Sequence, residues 1–420
     1  MIKRILYTLL IMFPVVASAQ INTDRVMAIG RNALYFEDYV LSIQYFNQVI
    51  NAKPYLSDPY FYRGLAKINL DDFQGAESDC SEAIERNPFV VSAYQVRGLA
   101  RIQQNNFAGA IEDYTKALEF DPENIGVWHN MALCRIRQED YKGAKNDLDK
   151  LIAISPRYTK AYLMRGEVDL KQKDTLAAEK DFGKAIEIDR YDADTWASRA
   201  ILRLQQQRYK DAEADFDHAI RLSTRNSGVY INRALARYHQ NNLRGAMSDY
   251  DIALDIDPNN FIGHYNRGLL RAQVGDDNRA IQDFNFVIEM EPDNMMAIFN
   301  RGLLLDQTGD YKGAIKDYST VINEYPNFLL GYQYRAQARR KIGDVKGADA
   351  DEFKVLKAQL DKQNGVDPNK QTADNTENNK TRKKSDKNMN NYRKIVVADN
   401  EEGEEKYKSD YRGRCLLYTS

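Results

Sequence analysis

From Val91 to Asn124 the chain carries two stretches with helical spacing of apolar residues, separated by a short polar turn. Tyr94, Gly98, Leu99 and Ile102 fall on one side of the first, and Ala110, Tyr114 and Ala117 on one side of the second. Steps of three to four residues put each set on a single helical stripe, so the pattern predicts two amphipathic helices packed face to face. Asp121-Pro122 ends the second helix, because proline has no N–H to give and disfavours a helical residue before it.

The same pattern recurs every 34 residues, in ten frames that run without a gap from Thr23 to Lys362. Prolines mark the period at 54, 88, 122, 156, 258, 292 and 326, with Arg190, Thr224 and, in the last frame, Leu360 in the three remaining places. The eighth place of every frame is Gly or Ala, and the twentieth is alanine in all but the first, where Ser42 stands. Small residues at two fixed places allow two helices to approach closely. A large ring at the twenty-fourth place (Tyr114, Phe182, Phe216, Tyr250, Phe284, Tyr318) fills what remains.

These markers at this period resemble the tetratricopeptide repeat, a helix-turn-helix unit. The resemblance covers frames 23–56 through 329–362. It implies an all-α fold, a right-handed superhelical solenoid in which the first helices line a concave groove. No single frame can bury its apolar face alone, so neighbours must stack. The end frames depart from the pattern, with Tyr45 in place of the usual aspartate in the first and Glu352 at the ring place in the last. The charged residue suits a solvent-facing cap.

The chain ends differ from the repeats. Lys3 and Arg4, an apolar run from Ile5 to Val16 and Ala17-Ser18-Ala19 together read as a secretory signal peptide over 1–19, cut before Gln20. That predicts a periplasmic or secreted protein with no transmembrane segment in the mature chain, which is 20–362 solenoid followed by a tail. The tail, 363–420, is rich in Asn, Lys and Asp, and such a composition predicts disorder. Within it Tyr392 to Ala398 (YRKIVVA) is an apolar island that reads as a partner-binding peptide or the first strand of something further. The closing CLLYTS does not match what precedes it, so either the natural chain continues or this end is foreign to it.

Composition adds mostly exclusions. Formal net charge is -2 and no basic block interrupts the repeats, so there is no electrostatic footprint for nucleic acid. His129, His218, His239 and His264 are scattered over separate frames, with no metal-ligand spacing and no paired-cysteine motif, so neither a cofactor nor a catalytic site is expected. Cys80 and Cys134 are separated by a whole repeat, which puts them beyond disulfide reach and reads as two buried thiols.

Charge repeats with the period. The seventh place is Arg in eight frames, with Met131 the exception among the inner ones; the eleventh is usually basic; the twenty-third is Asp in all nine frames after the first. One reading is an anion-binding row. The other is structural, an Asp on a second helix paired with an Arg on a first helix of the same or an adjacent repeat, and strict co-occurrence favours it, because a forked Arg–carboxylate pair is satisfied where a lone buried charge is costly.

The residues that family geometry turns to the groove vary more. The thirteenth place is amide or basic in the nine frames after the first, with no carboxylate, and such side chains can hydrogen-bond a peptide backbone and favour acidic partners. With the aromatics beside it, this assigns a peptide- or partner-binding row to His129, Arg137, Tyr238, His239, Tyr265, Gln273, Phe299 and Gln307. The predicted function is a non-catalytic protein-interaction scaffold of the envelope. The alternatives are a structural subunit of an envelope assembly held by its outer face and tail, or the non-catalytic part of a longer enzyme.

Overall fold

The computed structural model describes residues 22–222, 225–363 and 389. The proposed signal peptide and the apolar island lie outside them. Twenty α-helices account for the regular structure of the described residues, with no strand among them. They divide into two compact units of five helix pairs each, with the division after Arg190. That residue holds one of the three proline places without proline.

In the first unit the pairs are α1 (Thr23–Tyr35) and α2 (Tyr39–Ala52), α3 (Asp58–Asn69) and α4 (Phe73–Arg86), α5 (Val91–Gln103) and α6 (Phe107–Phe120), α7 (Ile125–Arg137) and α8 (Tyr141–Ile154), α9 (Thr159–Lys171) and α10 (Thr175–Ile188). In the second they are α11 (Ala193–Gln205) and α12 (Tyr209–Arg221), α13 (Ser227–His239) and α14 (Leu243–Ile256), α15 (Phe261–Gln273) and α16 (Asp277–Met290), α17 (Met295–Thr308) and α18 (Tyr311–Glu324), α19 (Leu329–Lys341) and α20 (Val345–Gln363). Within each unit a helix packs against its own partner and against the first helix of the next pair.

The small places are where the helices touch. The nine alanines at the twentieth place, Ala76 through Ala348, have no exposed surface, and the rings at the twenty-fourth are at most 1 % exposed. A Cβ added to Gly166 would stand 2.5 Å from the Phe182 ring, and one added to Gly98 2.7 Å from Tyr114. Cys80 and Cys134 are buried in α4 and α7, and burial pushes the Cys134 thiol up to about 12.

The turn inside each pair has a feature that the sequence pattern did not announce. Its fifteenth place is left-handed in all ten repeats: φ is between 59° and 65° at Glu37, Asp71, Asn105, Glu139, Lys173, Gln207 and Asn241, and between 79° and 92° at Gly275, Gly309 and Gly343. The next residue caps the second helix in most repeats; Asp72, Asn106, Asp140, Asp174, Asn242, Asp310 and Asp344 each accept a hydrogen bond from the backbone N–H three residues on. A side chain in the left-handed region costs on the order of 1 kcal/mol where glycine costs little. Lys173→Gly should therefore stabilise the α9–α10 pair by about 1 kcal/mol, read as slower amide exchange in those two helices; unchanged or faster exchange would refute a strained turn.

The last pair differs from the expected polar cap. Glu352 is exposed and paired with Arg340 at 2.7 Å. Beside it Phe353, Leu356 and Leu360, which are 67 %, 52 % and 48 % exposed, form an apolar stripe on α20.

Candidate functional site

The charge ladder resolves into a repeated ion-pair network inside the helix pairs. Arg63, Arg97, Arg165, Arg199, Arg233, Arg267, Arg301 and Arg335 each send Nε and Nη2 to the aspartate 16 residues on in the same repeat, at 2.5–3.2 Å. The nine aspartates, Asp79 through Asp351, are all buried. In most repeats the basic residue at the eleventh place supplies a second cation, as Arg203 does to Asp215 at 2.7 Å and Arg237 to Asp249 at 2.8 Å.

The remaining donor ties one repeat to the one before it. Nη1 of Arg97, Arg165, Arg233, Arg267 and Arg335 donates to Ser81, Asp149, Asp217, Asp251 and Ser319, each at the twenty-fifth place of the preceding repeat. Each arginine is thus consumed by the fold, and the row has no cation to spare for an outside anion. Burial raises Asp113 and Asp249 above the ordinary carboxylate value in spite of their arginines. Burial acts the same way on Asp283, but a hydrogen bond from His264 together with Arg267 and Arg271 outweighs it and holds this carboxyl low.

Two repeats of the first unit depart from the ladder. Arg101 and Arg237 at the eleventh place pair with Glu77 and Glu213 of the preceding repeat, each at 2.8 Å. In the α9 repeat the signs are exchanged: Asp169 stands at the eleventh place, 1 % exposed, and Lys145 of the preceding repeat reaches it at 2.5 Å. In the α7 repeat Met131 replaces the arginine of the seventh place, and its Sδ lies 3.9 Å from the Thr115 hydroxyl, where the arginine head group goes elsewhere. Asp147 is left with Arg135 as its cation of the ladder, and burial raises its pKa to about 6.

The predicted binding residues fall on both units. In the first, His129 is buried on α7, with Nδ1 3.2 Å from the Tyr158 hydroxyl, while Arg137 at the end of the same helix is exposed. The other six are in the second unit. His239, Gln273 and Gln307, at the ends of α13, α15 and α17, are exposed. The Tyr238 hydroxyl donates to Gln273 Oε1 at 2.7 Å, and Gln307 Nε2 donates to Asp277 at 3.0 Å. The His239 ring stacks on Tyr209 at 4.4 Å, and partial desolvation there lowers its pKa.

Tyr265 and Phe299 sit deeper than their neighbours in the row. Tyr265 is 4 % exposed and Phe299 fully buried, with Phe328, Tyr318 and Tyr334 around Phe299 at ring separations of 5.0–5.9 Å. Both belong to one apolar cluster built on α17, in which Met295, Met296, Leu304 and Met389 also take part. Spacing alone could not separate these two rings from the exposed residues of the row.

The comparisons with known proteins agree with this architecture. The TPR repeat model matches residues 98–134, and two tetratricopeptide repeat models match 125–158 with 159–192 and 198–261 with 265–327. Together these spans take in more than half of the chain. The chain belongs to the tetratricopeptide repeat family.

Among solved structures, it is similar to a tetratricopeptide repeat protein from Parabacteroides merdae at 21 % identity, covering 59 % of this chain and 98 % of that one with a TM-score of 0.47. It is also similar to the C-terminal part of a TPR repeat-containing protein from Cytophaga hutchinsonii, at 17 % identity over 57 % of this chain and 98 % of that one, TM-score 0.48. A third is YrrB, described as a TPR protein with an unusual peptide-binding site, at 18 % identity over 44 % and 95 %, TM-score 0.40. No curated protein matches the chain in sequence. Tetratricopeptide repeat proteins typically bind protein partners. Among the described residues no helix is long and apolar enough to cross a membrane, and no group of three His, Cys, Asp or Glu is placed to hold a metal.

Proposed function

We propose that this tetratricopeptide protein is a non-catalytic scaffold outside the cytoplasm that binds a peptide segment of a partner protein along the first-helix row of its second unit. One observation carries the reading. The packing places are closed, with buried alanines and ion pairs already satisfied, while the ends of α13, α15 and α17 present an exposed, varied row of His239, Gln273 and Gln307 with Tyr238 beside it. Amides there can donate to and accept from a peptide backbone. Changing all three to glutamate (His239→Glu, Gln273→Glu, Gln307→Glu) should lower capture of the partner from envelope extract at least tenfold while circular dichroism stays the same. Undiminished capture by the folded variant would remove the row as the binding surface.

The location rests on the leader-like sequence of residues 1–19. Mass analysis of the purified native chain should find Gln20 as its first residue, and Met1 retained on a cytoplasmic protein would end that part of the proposal. The apolar stripe of Phe353, Leu356 and Leu360 on α20 favours a second reading, in which the chain is one subunit of a larger assembly joined at that helix.

A further inference from the structure

The first half of α17 is enclosed on every side. Six consecutive residues, Met295, Met296, Ala297, Ile298, Phe299 and Asn300, are all buried. A helix in a stack of pairs shows one flank to solvent, as α15 does at Phe261 and α7 at Gly126. A helix that is apolar and buried all round has a cover on that flank as well. The second place of the first helix is the test position. It is at least partly exposed in eight of the other nine repeats, as at Asp58, Ser92, Lys160 and Ile262, and is buried at Gly228 of the α13 repeat, which has no side chain to cover. In the α17 repeat it is Met296, only 9 % exposed.

The cluster around α17 has one described member from beyond the last helix. This is Met389, which is 5 % exposed although it comes from a tail of polar composition. We propose that Met389 is an intramolecular ligand of the second unit, seated on the start of α17 beside Tyr265 and Phe299. An outside peptide must then displace it to reach the apolar part of the row.

The chemistry suits such a ligand. Methionine is unbranched and polarizable, so it fits an irregular apolar gap and packs well against rings. The 25 residues between Gln363 and Met389 are a polar tether. A tether of that length holds its end at an effective concentration of about a millimolar, so even a weak contact is populated in cis. This names one peptide that the proposed row takes and rests on that reading for the competition alone. Its readout is chemical protection and needs no partner, so either idea can fail without the other.

The test is oxidation of the full-length chain by dilute hydrogen peroxide, followed by peptide mass analysis. Met290 is the internal reference, at 52 % exposure on the same unit. Met389 should oxidise at least fivefold more slowly than Met290, and equally slowly across a hundredfold dilution. Met389→Asp should leave the thermal unfolding of the repeats unchanged and speed oxidation of Met296 at least threefold. The proposal is overturned if Met389 oxidises as fast as Met290, or if Met296 stays equally protected in the variant. Protection that is lost on dilution would also overturn it, because the ligand would then come from a second copy of the chain.

Discussion

Asp215→Ala should destabilise the second unit by about 3–5 kcal/mol, the cost of breaking a buried ion pair and leaving its partner charged. Asp215 is 3 % exposed and receives Nε and Nη2 of Arg199 at 2.8 and 2.9 Å, with Nη1 of Arg203 at 2.7 Å. Its removal strands two guanidiniums between α11 and α12. Adding Arg199→Met should recover part of the loss and no more, because the contact of Arg203 to Asp215 is still gone. An exposed pair would give at most about 1 kcal/mol, so the size of the single-mutant effect separates a structural ladder from a solvated one. Urea unfolding of the wild type, both single variants and the double variant closes the cycle. Strict additivity would mean that Arg199 and Asp215 do not interact.

The second large effect is a pH dependence at the gap in the ladder. Asp147 has a pKa of about 6, raised by burial with Arg135 as its ladder cation. A carboxyl whose folded pKa lies above its unfolded value of about 3.9 contributes stability in its protonated form. That contribution is complete below about pH 4 and is lost as pH rises through 6, on the order of 2–3 kcal/mol in all. Met131→Arg should close the gap. The new guanidinium has Asp147 on one side and the Thr115 hydroxyl on the other, the arrangement that Arg97 has with Asp113 and Ser81. Carbon-13 NMR of the Asp147 carboxyl should titrate near pH 6 in the wild type and clearly lower in the variant. Amide exchange in α8 should be slower in the variant at pH 7.5, with the difference shrinking at pH 4.5. A wild-type midpoint near 4 would show that Arg135 alone satisfies the site.

Period and packing were legible because they are local rules repeated ten times. Glycine or alanine at the eighth place, alanine at the twentieth and a ring at the twenty-fourth state which surfaces close, and the structure closes those surfaces. The Arg–Asp pairing was legible for the same reason, since two charges that recur in step must be satisfied in step. The left-handed turn was not legible. Seven of its ten positions carry Glu, Asp, Asn, Lys or Gln, and side chains that tolerate a conformation do not announce it as glycine does at Gly275, Gly309 and Gly343. The exchange of signs between Lys145 and Asp169 was also hidden, because each residue alone reads as an irregularity of its own repeat.

By itself, then, the sequence determined the family, the period of the helix pairs, and the pairing of the seventh-place arginines with the twenty-third-place aspartates, all of which follow from contacts made within one repeat or with the next. Only the tertiary structure decided how deep Tyr265 and Phe299 lie and that Met389 belongs with them. Burial is a property of everything that surrounds a residue, and the cover on α17 comes from a part of the chain far along the sequence with no share in its period. A repeat states its own neighbours, but it cannot state what else the chain lays over them.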